Sequence, residues 1–385
     1  MSKIKIAIIF GTRPETIKMF PIISEIKKYS NFFELKVIVS GQHREMLDQM
    51  LETFQIDVDY DLNIMEQGQS LINITKNSLI GFEEILKKEK PSMVLVQGDT
   101  STTFTGALAA FYQKIKIGHI EAGLRTNNKY YPFPEELNRR LTSVLADLHF
   151  TPTRKSCLNL LSEGTKRENI FISGNTVIDS LLLMKDKCYV FKEPLLHNTE
   201  IFKKKIILIT MHRRENWGKP LETTCKALIK IIEEYPNLLM IFPIHKNPEI
   251  RKIVNSIFKN RKEAILLDTL DYKDMVNLMS KSYIILTDSG GIQEEAPSLR
   301  KPVLVLRNET ERPEAVEAGV VKLVGTKSKN IIKEVKNLLD NEKNYISMSK
   351  RSNPYGDGRA SERIIKRILH YFNLIDQSPD EFKVN

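Results

Sequence analysis

Short, nearly uninterrupted apolar runs recur along this chain, and longer segments with apolar positions three and four residues apart lie between them. The first pattern reads as strands buried on both faces and the second as amphipathic helices. Strands are predicted over residues 3–10, 35–40, 92–97, 116–120, 148–152 and 170–173. Helices are predicted over 14–28, 45–54, 70–88, 104–112, 137–146, 157–163 and 177–184, and residues 57–67 read as irregular or partly extended. Residues 186–203 lack periodicity and read as a linker. The alternation then restarts, with strands over 205–210, 238–243, 264–267, 284–287 and 302–306. Its helices are predicted over 220–235, 249–258, 272–281, 331–339 and 359–372. Two successive β–α alternations of similar length imply two doubly wound parallel sheets of Rossmann type. A ligand is then expected in a cleft where the two face each other, at the C-terminal ends of the strands.

The loops that follow the strands carry the candidate chemistry. In residues 284–299, IILTDSGGIQEEAPSL, a strand runs through Ser289-Gly290-Gly291 into the start of a helix that Pro297 limits. Glycines let a ligand approach the backbone, and a helix start offers N–H donors to an anion, so this stretch predicts a phosphate site. Glu294 and Glu295 are within a turn of it and offer acceptors to sugar hydroxyls. After the first strand, Gly11 gives a turn, Pro14 suits a helix start, and Arg13 and Lys18 can reach an anion. The spacing is not G-x-G-x-x-G, so NAD is not predicted. Asp99 follows the 92–97 strand, where helix capping and catalysis are both open to it. His119, Glu121 and Arg125 cluster after the 116–120 strand, and Glu135 and Glu136 open a helix, where they could merely favour its dipole. His212 and Arg213, His245 and Arg312 follow later strands. Donors and cations suit a diphosphate, and the acids Asp99, Glu121 and Glu135 suit proton transfer.

Composition narrows the class. The chain has 385 residues, 41% hydrophobic and 28% charged, which suits a soluble protein of two domains. The net charge of +10 would permit nucleic-acid binding, but Lys and Arg are dispersed among 48 acidic residues without interleaved aromatics. That charge reads as solvated surface, with no nucleic-acid and no membrane partner. The three cysteines have no metal-ligand spacing and form no even framework, which suits a reducing cytoplasm.

Taken in order, GTRPETIKMFP, VQGDTSTTF, GHIEAGLRT, PFPEELNRR, SGNTVID, HRREN, ILTDSGGIQEEAPSL, LRNETERPEA and NPYGDGRAS closely resemble the non-hydrolysing UDP-N-acetylglucosamine 2-epimerases over roughly residues 3–370. The resemblance implies a glycosyltransferase-B-like fold. An N-terminal domain over 1–176 would carry the acidic loops, and a UDP-binding domain would span 177–357. A terminal helix in 358–385 would cross back to the first domain. It also implies interconversion of UDP-N-acetylglucosamine and UDP-N-acetylmannosamine without NAD, flavin or metal. The path is anti elimination of UDP to 2-acetamidoglucal and syn re-addition, and the product would supply N-acetylmannosamine units for cell-surface polysaccharide. Arg13, Arg213, Ser289, Gly290, Gly291, Glu295 and Arg312 match substrate-binding positions. Lys18, Asp99, Glu121 and Glu135 match catalytic ones, with His212 counted both there and at the diphosphate. Gln42, His43, Arg213 and His245 match a second, activating UDP-sugar site. Glu45 stands there where Gln is often found, and Gly68 where Arg is often found, so activation is expected to be weak or altered. A homodimer in the cytoplasm is expected. The alternatives are a glycosyltransferase of the same fold, a hydrolysing epimerase, and an epimerase of a related UDP-sugar.

Overall fold

Each apolar run forms a strand because its residues have nowhere to go but the interior. In the computed structural model, which describes residues 3–42, 44–66 and 68–384, all eleven predicted strands are present and every strand pairing is parallel. The chain divides into two units. The first comprises Met1–Ser180 and Tyr355–Lys383, the second Leu181–Pro354 and Val384–Asn385.

The first unit holds β1 (Ile4–Phe10), β2 (Phe33–Val39), β3 (Tyr60–Asp61), β4 (Met93–Gln97), β5 (Lys116–Ile120), β6 (Leu148–Thr151) and β7 (Ile170–Ile172) in the order β3-β2-β1-β4-β5-β6-β7. The second holds β8 (Lys205–Thr210), β9 (Leu238–Pro243), β10 (Ala264–Leu267), β11 (Ile284–Thr287), β12 (Val303–Val305) and β13 (Val321–Leu323) in the order β10-β9-β8-β11-β12-β13. Strand order reverses between β1 and β4 in one sheet and between β8 and β11 in the other. These are the two switch points, where the loops leaving neighbouring strands diverge and open a crevice. The β1 and β4 strands meet in register as Ile6↔Met93 and Ile9↔Val96, and β8 and β11 as Ile207↔Ile284 and Thr210↔Thr287.

The departures from expectation are short elements. The strands β3 and β13 have two and three residues, at sheet edges. The first is too short for a readable period, and the exposed Lys322 interrupts the second. The helices Pro313–Glu317 and Glu342–Ser349 were not predicted, although Asn341 caps the second by accepting from Asn344 N. The 186–203 linker contains two 3₁₀ turns, Pro194–Leu196 and Thr199–Lys203. The helix after β11 begins at Gly290 rather than Ile292 and passes at Ala296 into a 3₁₀ turn containing Pro297.

Pro21 lies inside the helix Arg13–Lys28. Proline has no N–H, so the carbonyl four residues back, that of Ile17, loses its helical donor. The hydroxyl of Ser180, on the helix Thr176–Met184 and fully buried, donates to that carbonyl instead. The terminal helix Ala360–Tyr371 belongs to the first unit and packs on Arg13–Lys28. Its first turn is held by buried Asp179, which accepts from Ala360 N at 3.1 Å, Ser361 N at 2.7 Å and Ser361 Oγ at 2.6 Å.

Removing the hydroxyl leaves Ile17's carbonyl unpaired in the interior. Ser180→Ala is expected to cost about 1–3 kcal/mol in urea unfolding. In a Pro21→Ala background, where the backbone N–H is restored, the same change is expected to cost clearly less.

Candidate active site

The first switch point is built around a buried carboxylate that the sequence reading passed over. Glu15 is 1% exposed. Its Oε2 accepts from Gly11 N at 3.0 Å and Thr12 Oγ1 at 2.8 Å. Its Oε1 accepts from Thr100 Oγ1 at 2.7 Å and Thr103 Oγ1 at 3.0 Å. Burial raises its pKa against those four hydrogen bonds. The β1 loop and the β4 loop are thereby tied together. They are also close-packed: a Cβ on Gly11 would stand 1.9 Å from Ser40 Oγ and 2.6 Å from Thr102 Oγ1, so only glycine fits.

Beside this tie lies Glu121, which follows β5 with φ at +61°, a left-handed backbone that few residues other than glycine and asparagine adopt. Lys18 Nζ donates to both its oxygens at 2.6 Å. Gln97 Nε2, at the end of β4, donates to Oε2, and Asn175 Nδ2, after β7, donates to Oε1 at 3.0 Å. Asp99 is oriented by Arg139 Nη2, which donates to Oδ2, while Asn138 Nδ2 donates to the Asp99 carbonyl at 3.0 Å. The Asp99 side chain keeps 26% of its exposure. Burial, supported by the charge of Glu121 and opposed by Arg139 and Lys18, still holds its carboxyl above the ordinary range. Glu135 opens the helix Glu135–Leu145 and shares a face with Asn138 and Arg139 by its i, i+3, i+4 spacing. It therefore sits on the side of the helix that meets the β4 loop. Arg13 is half-buried and, among the described residues, forms no ion pair.

Three neighbours named with these residues do other work. Arg125 turns away and pairs with Glu163 through Nε at 2.8 Å and Nη2 at 2.7 Å. Glu136 is fully buried and accepts from Thr126 N at 3.0 Å, Asn127 N at 3.3 Å and Arg140 Nε at 3.0 Å, which fixes the loop ahead of its helix. His119 Nε2 lies 2.8 Å from the Gly98 carbonyl and supports the turn that carries Asp99.

The second switch point repeats the device. Asp288, fully buried after β11, accepts from His212 N at 3.1 Å, Arg213 N at 3.0 Å and Asn216 Nδ2 at 3.0 Å. His212 Nδ1 lies 3.2 Å from Asp288 Oδ1, a contact that favours the Nδ1–H tautomer and leaves Nε2 available. Burial lowers the His212 pKa, aided by Arg213 and His245 and opposed by Asp288. Ser289 N donates to Thr287 Oγ1 at 2.9 Å, and the chain then enters Gly290–Glu295. A Cβ on Gly290 would lie 3.6 Å from Arg213 Nη2 and 3.9 Å from Arg312 Nη2. Two guanidinium groups thus converge on one bare stretch of backbone, an arrangement suited to a phosphate. Arg312 Nε donates to Glu294, so that carboxylate orients the cation rather than standing ready for a sugar hydroxyl. Glu295 is 9% exposed and accepts from Tyr272 OH at 3.3 Å.

For the expected second site, Gln42 Oε1 accepts from Thr102 Oγ1 at 3.0 Å, and His245 lies 6.1 Å, centroid to centroid, from the Trp217 ring. His43 lies outside the described residues. Glu45 is exposed, and Gly68 is exposed with open space where a side chain would begin. Among the described residues no group of His, Cys, Asp and Glu could hold a metal ion, and no helix is long and apolar enough to cross a membrane.

Sequence reasoning placed the acids and the cations but gave no role to Glu15, Gln97, Arg139, Asn175 or Asp288. Each is a polar residue at a strand end or helix start, and several stand inside the motifs already quoted. What marks them out is convergence from separate strands, which only the fold displays.

The pair His119 and His149, register neighbours on β5 and β6, generates a pH prediction. Burial, with Arg125 adding to it, pushes their pKa values down to about 3 and about 4. Below the ordinary value of about 6.5 the unfolded chain binds protons that the folded chain refuses, so stability is lost as pH falls. The slope is about 1.4 kcal/mol per pH unit for each histidine. His119→Gln is expected to make urea unfolding less pH-dependent between pH 6 and 4.5 by about that slope.

Known proteins share the sequence and fold of this chain. The family model described as UDP-N-acetylglucosamine 2-epimerase matches residues 25–369. The UDP-N-acetylglucosamine 2-epimerase of Bacillus subtilis (strain 168) is 49% identical over 383 residues, covering 99% of each chain. The Staphylococcus aureus protein MnaA, in a structure with UDP, is 48% identical with a TM-score of 0.87, covering 99% of this chain and all of that one. The UDP-GlcNAc 2-epimerase of Neisseria meningitidis, bound to UDP-GlcNAc, is 48% identical with a TM-score of 0.82, covering 95% of this chain and all of that one.

Proposed function

This chain belongs to the UDP-N-acetylglucosamine 2-epimerase family, with its glycosyltransferase-B-like pair of parallel-sheet units, and we propose that it inverts C-2 of UDP-N-acetylglucosamine to give UDP-N-acetylmannosamine and the reverse. The enzyme is an isomerase. The observation that carries the mechanism is Glu121, a strained, nearly buried carboxylate held by Lys18, Gln97 and Asn175 beside a second acid, Asp99.

The hydrogen on C-2 is not next to a carbonyl and is weakly acidic. It becomes removable when the C-1–oxygen bond to UDP stretches and C-1 gains positive character. Arg213, Arg312 and the backbone at Ser289, Gly290 and Gly291 take the diphosphate and neutralise the charge that builds as it leaves. His212, through Nε2, supplies a further polar contact to it, and Glu295 takes a ribose hydroxyl.

A carboxylate then accepts the C-2 proton while the C-1–oxygen electron pair departs with UDP, leaving a C-1–C-2 double bond, 2-acetamidoglucal. Return of the UDP oxygen to C-1 with a proton delivered to the other face of C-2 completes the inversion. No atom is gained or lost. Glu121, with three N–H donors on its carboxylate, suits the proton-accepting role in one direction. Asp99, held above the ordinary carboxyl range, suits the donating role, and Glu135 stands on the helix that meets the Asp99 loop.

Proton NMR of UDP-N-acetylglucosamine in D₂O with the protein alone tests the reaction. Loss of the C-2 proton signal, and growth of the manno isomer without an acceptor, is expected; a glycosyltransferase would do neither, and a hydrolysing epimerase would release free N-acetylmannosamine. Glu121→Gln is expected to keep UDP binding and lose at least about a hundredfold in turnover. Turnover near wild type would remove Glu121 from the mechanism.

The working unit is a homodimer in the cytoplasm, and its product feeds cell-surface polysaccharide. What supports the dimer is an apolar face that water would otherwise cover. Leu137, Leu141 and Val144 lie on one side of the helix Glu135–Leu145 and are all exposed, Val144 to 83%. The adjacent helix Ser101–Tyr112 ends in exposed Phe111 and Tyr112. Exposed apolar side chains grouped on two adjacent helices support an association surface. Leu141→Glu with Val144→Asp is expected to halve the mass found by light scattering. An unchanged mass would place the interface elsewhere.

A further inference from the structure

The last residues of the chain return to the sheet of the first unit. Strand β7 lies at its edge, where no further strand pairs with its outer side. Phe382 N donates to the Ile172 carbonyl at 2.8 Å, and Ile172 N donates to Glu381 Oε1 at 3.1 Å. Arg167 Nη2 holds the other oxygen of Glu381 at 2.6 Å. Residues 375–380 border a groove of about 800 Å³ against Arg359, Arg363 and Lys366 of the terminal helix. The tail is therefore anchored mainly where Glu381 and Phe382 seat.

Phe382 is 8% exposed, with the Arg363 guanidinium 5.5 Å from its ring centre. Beneath the ring is Gly174, at φ +85°. A Cβ there would lie 3.6 Å from Phe382 Cγ, 3.4 Å from Gly356 Cα and 3.5 Å from the Tyr355 carbonyl. Arg363, fixed to Asp357 at 2.7 and 2.6 Å, also reaches the Ser173 carbonyl at 3.4 Å. The next residue, Asn175, donates its N–H to the Tyr355 carbonyl at 2.6 Å and its side-chain amide to Glu121. A line of contacts thus runs from the end of the chain to the carboxylate: tail, Phe382, Gly174, Asn175, Glu121.

We propose that Glu381 and Phe382 form a strap whose seating on β7 positions Glu121 for proton transfer, acting through the Gly174–Asn175 turn. The proposal rests on the assignment of Glu121 to proton transfer made above. Phe382 is a positioning residue and touches no substrate. With the ring gone, Gly174 loses its cover, Asn175 shifts, and one of the donors that fixes Glu121 is misplaced. Misplacement of about 1 Å is enough to slow chemistry while substrate binding persists.

The test uses the full-length protein with Phe382→Ala, Phe382→Leu, Asn175→Ala and the double variant Phe382→Ala/Asn175→Ala. Phe382→Ala is expected to lower kcat and the rate of deuterium uptake at C-2 by about tenfold, with KM changed less than about twofold. Phe382→Leu is expected to recover most of that rate. The double variant is expected to be little slower than Asn175→Ala, because both changes act on one path. Val335→Ala, in the core of the second unit, serves as a control and is expected to lower thermal stability without the kcat loss. Wild-type kcat in Phe382→Ala, or losses that multiply in the double variant, overturns the strap. Wild-type turnover in Glu121→Gln overturns the assignment beneath it, and the strap's route falls with it.

Discussion

Glu121 carries a charge, almost out of water, on backbone that costs an ordinary residue about 1–2 kcal/mol. Such a residue persists only when its surroundings over-determine it. Here they do so from three separate elements: Lys18 from the helix after β1, Gln97 from the end of β4 and Asn175 from the turn after β7. Because β5 lies beyond β4 in the sheet order, a side chain at its end is reached from β4 directly and from β7 by a turn that folds back. The strain at Glu121 and the order of the strands are parts of one arrangement. The left-handed kink re-aims the carboxylate, and the doubly wound topology delivers the donors that hold it there.

Each unit also solves the same problem at its own switch point. Two loops leave neighbouring strands in diverging directions, and something has to hold them still while a ligand binds above. In the first unit Glu15 bridges the β1 and β4 loops, and in the second Asp288 bridges the β8 and β11 loops. A carboxylate suits this work because it has several acceptor positions and no need of a partner of fixed shape. Burying it is costly unless the acceptors are filled, and each of these two acids accepts at least four hydrogen bonds. Stability and site geometry are therefore set by the same few contacts, and a change to either acid would disturb both.

This division explains what the sequence could and could not convey. Apolar runs are one-dimensional, so eleven strands were legible, whereas the two-residue β3 was too short to show a period and β13 is broken by the exposed Lys322. Candidate ligand-facing groups were legible because they follow a strand immediately, as Asp99, Glu121, His212 and Ser289 do. The groups that hold them were not. Glu15 resembles a helix-start acid, Gln97 is the last residue of an apolar strand, and Asn175 sits in a Gly-Asn turn. Thr100 and Thr103, which hold Glu15, are 85 and 88 residues away in the chain. Glu294 follows a strand as an acceptor would, but Arg312 claims it, and Arg125, which clusters with Glu121 in the sequence, pairs with Glu163 instead.

The two acids at the first switch point differ in a way that bears on inversion. Both are carboxylates of nearly the same intrinsic acidity, so only their surroundings can give them opposite roles. Glu121 receives three N–H donors, one of them cationic. Asp99 receives Arg139, but burial and the negative charge of Glu121 outweigh that cation and favour the protonated form. On the proposed mechanism the charge of Glu121 has two effects: Glu121 accepts the proton, and by repulsion it helps to raise the pKa of its neighbour. An enzyme that must take a proton from one face of a carbon and return one to the other needs two groups in opposite states at the same moment. Burial of Asp99 is the larger cause of that difference, and the carboxylate locked in place by Lys18, Gln97 and Asn175 adds to it.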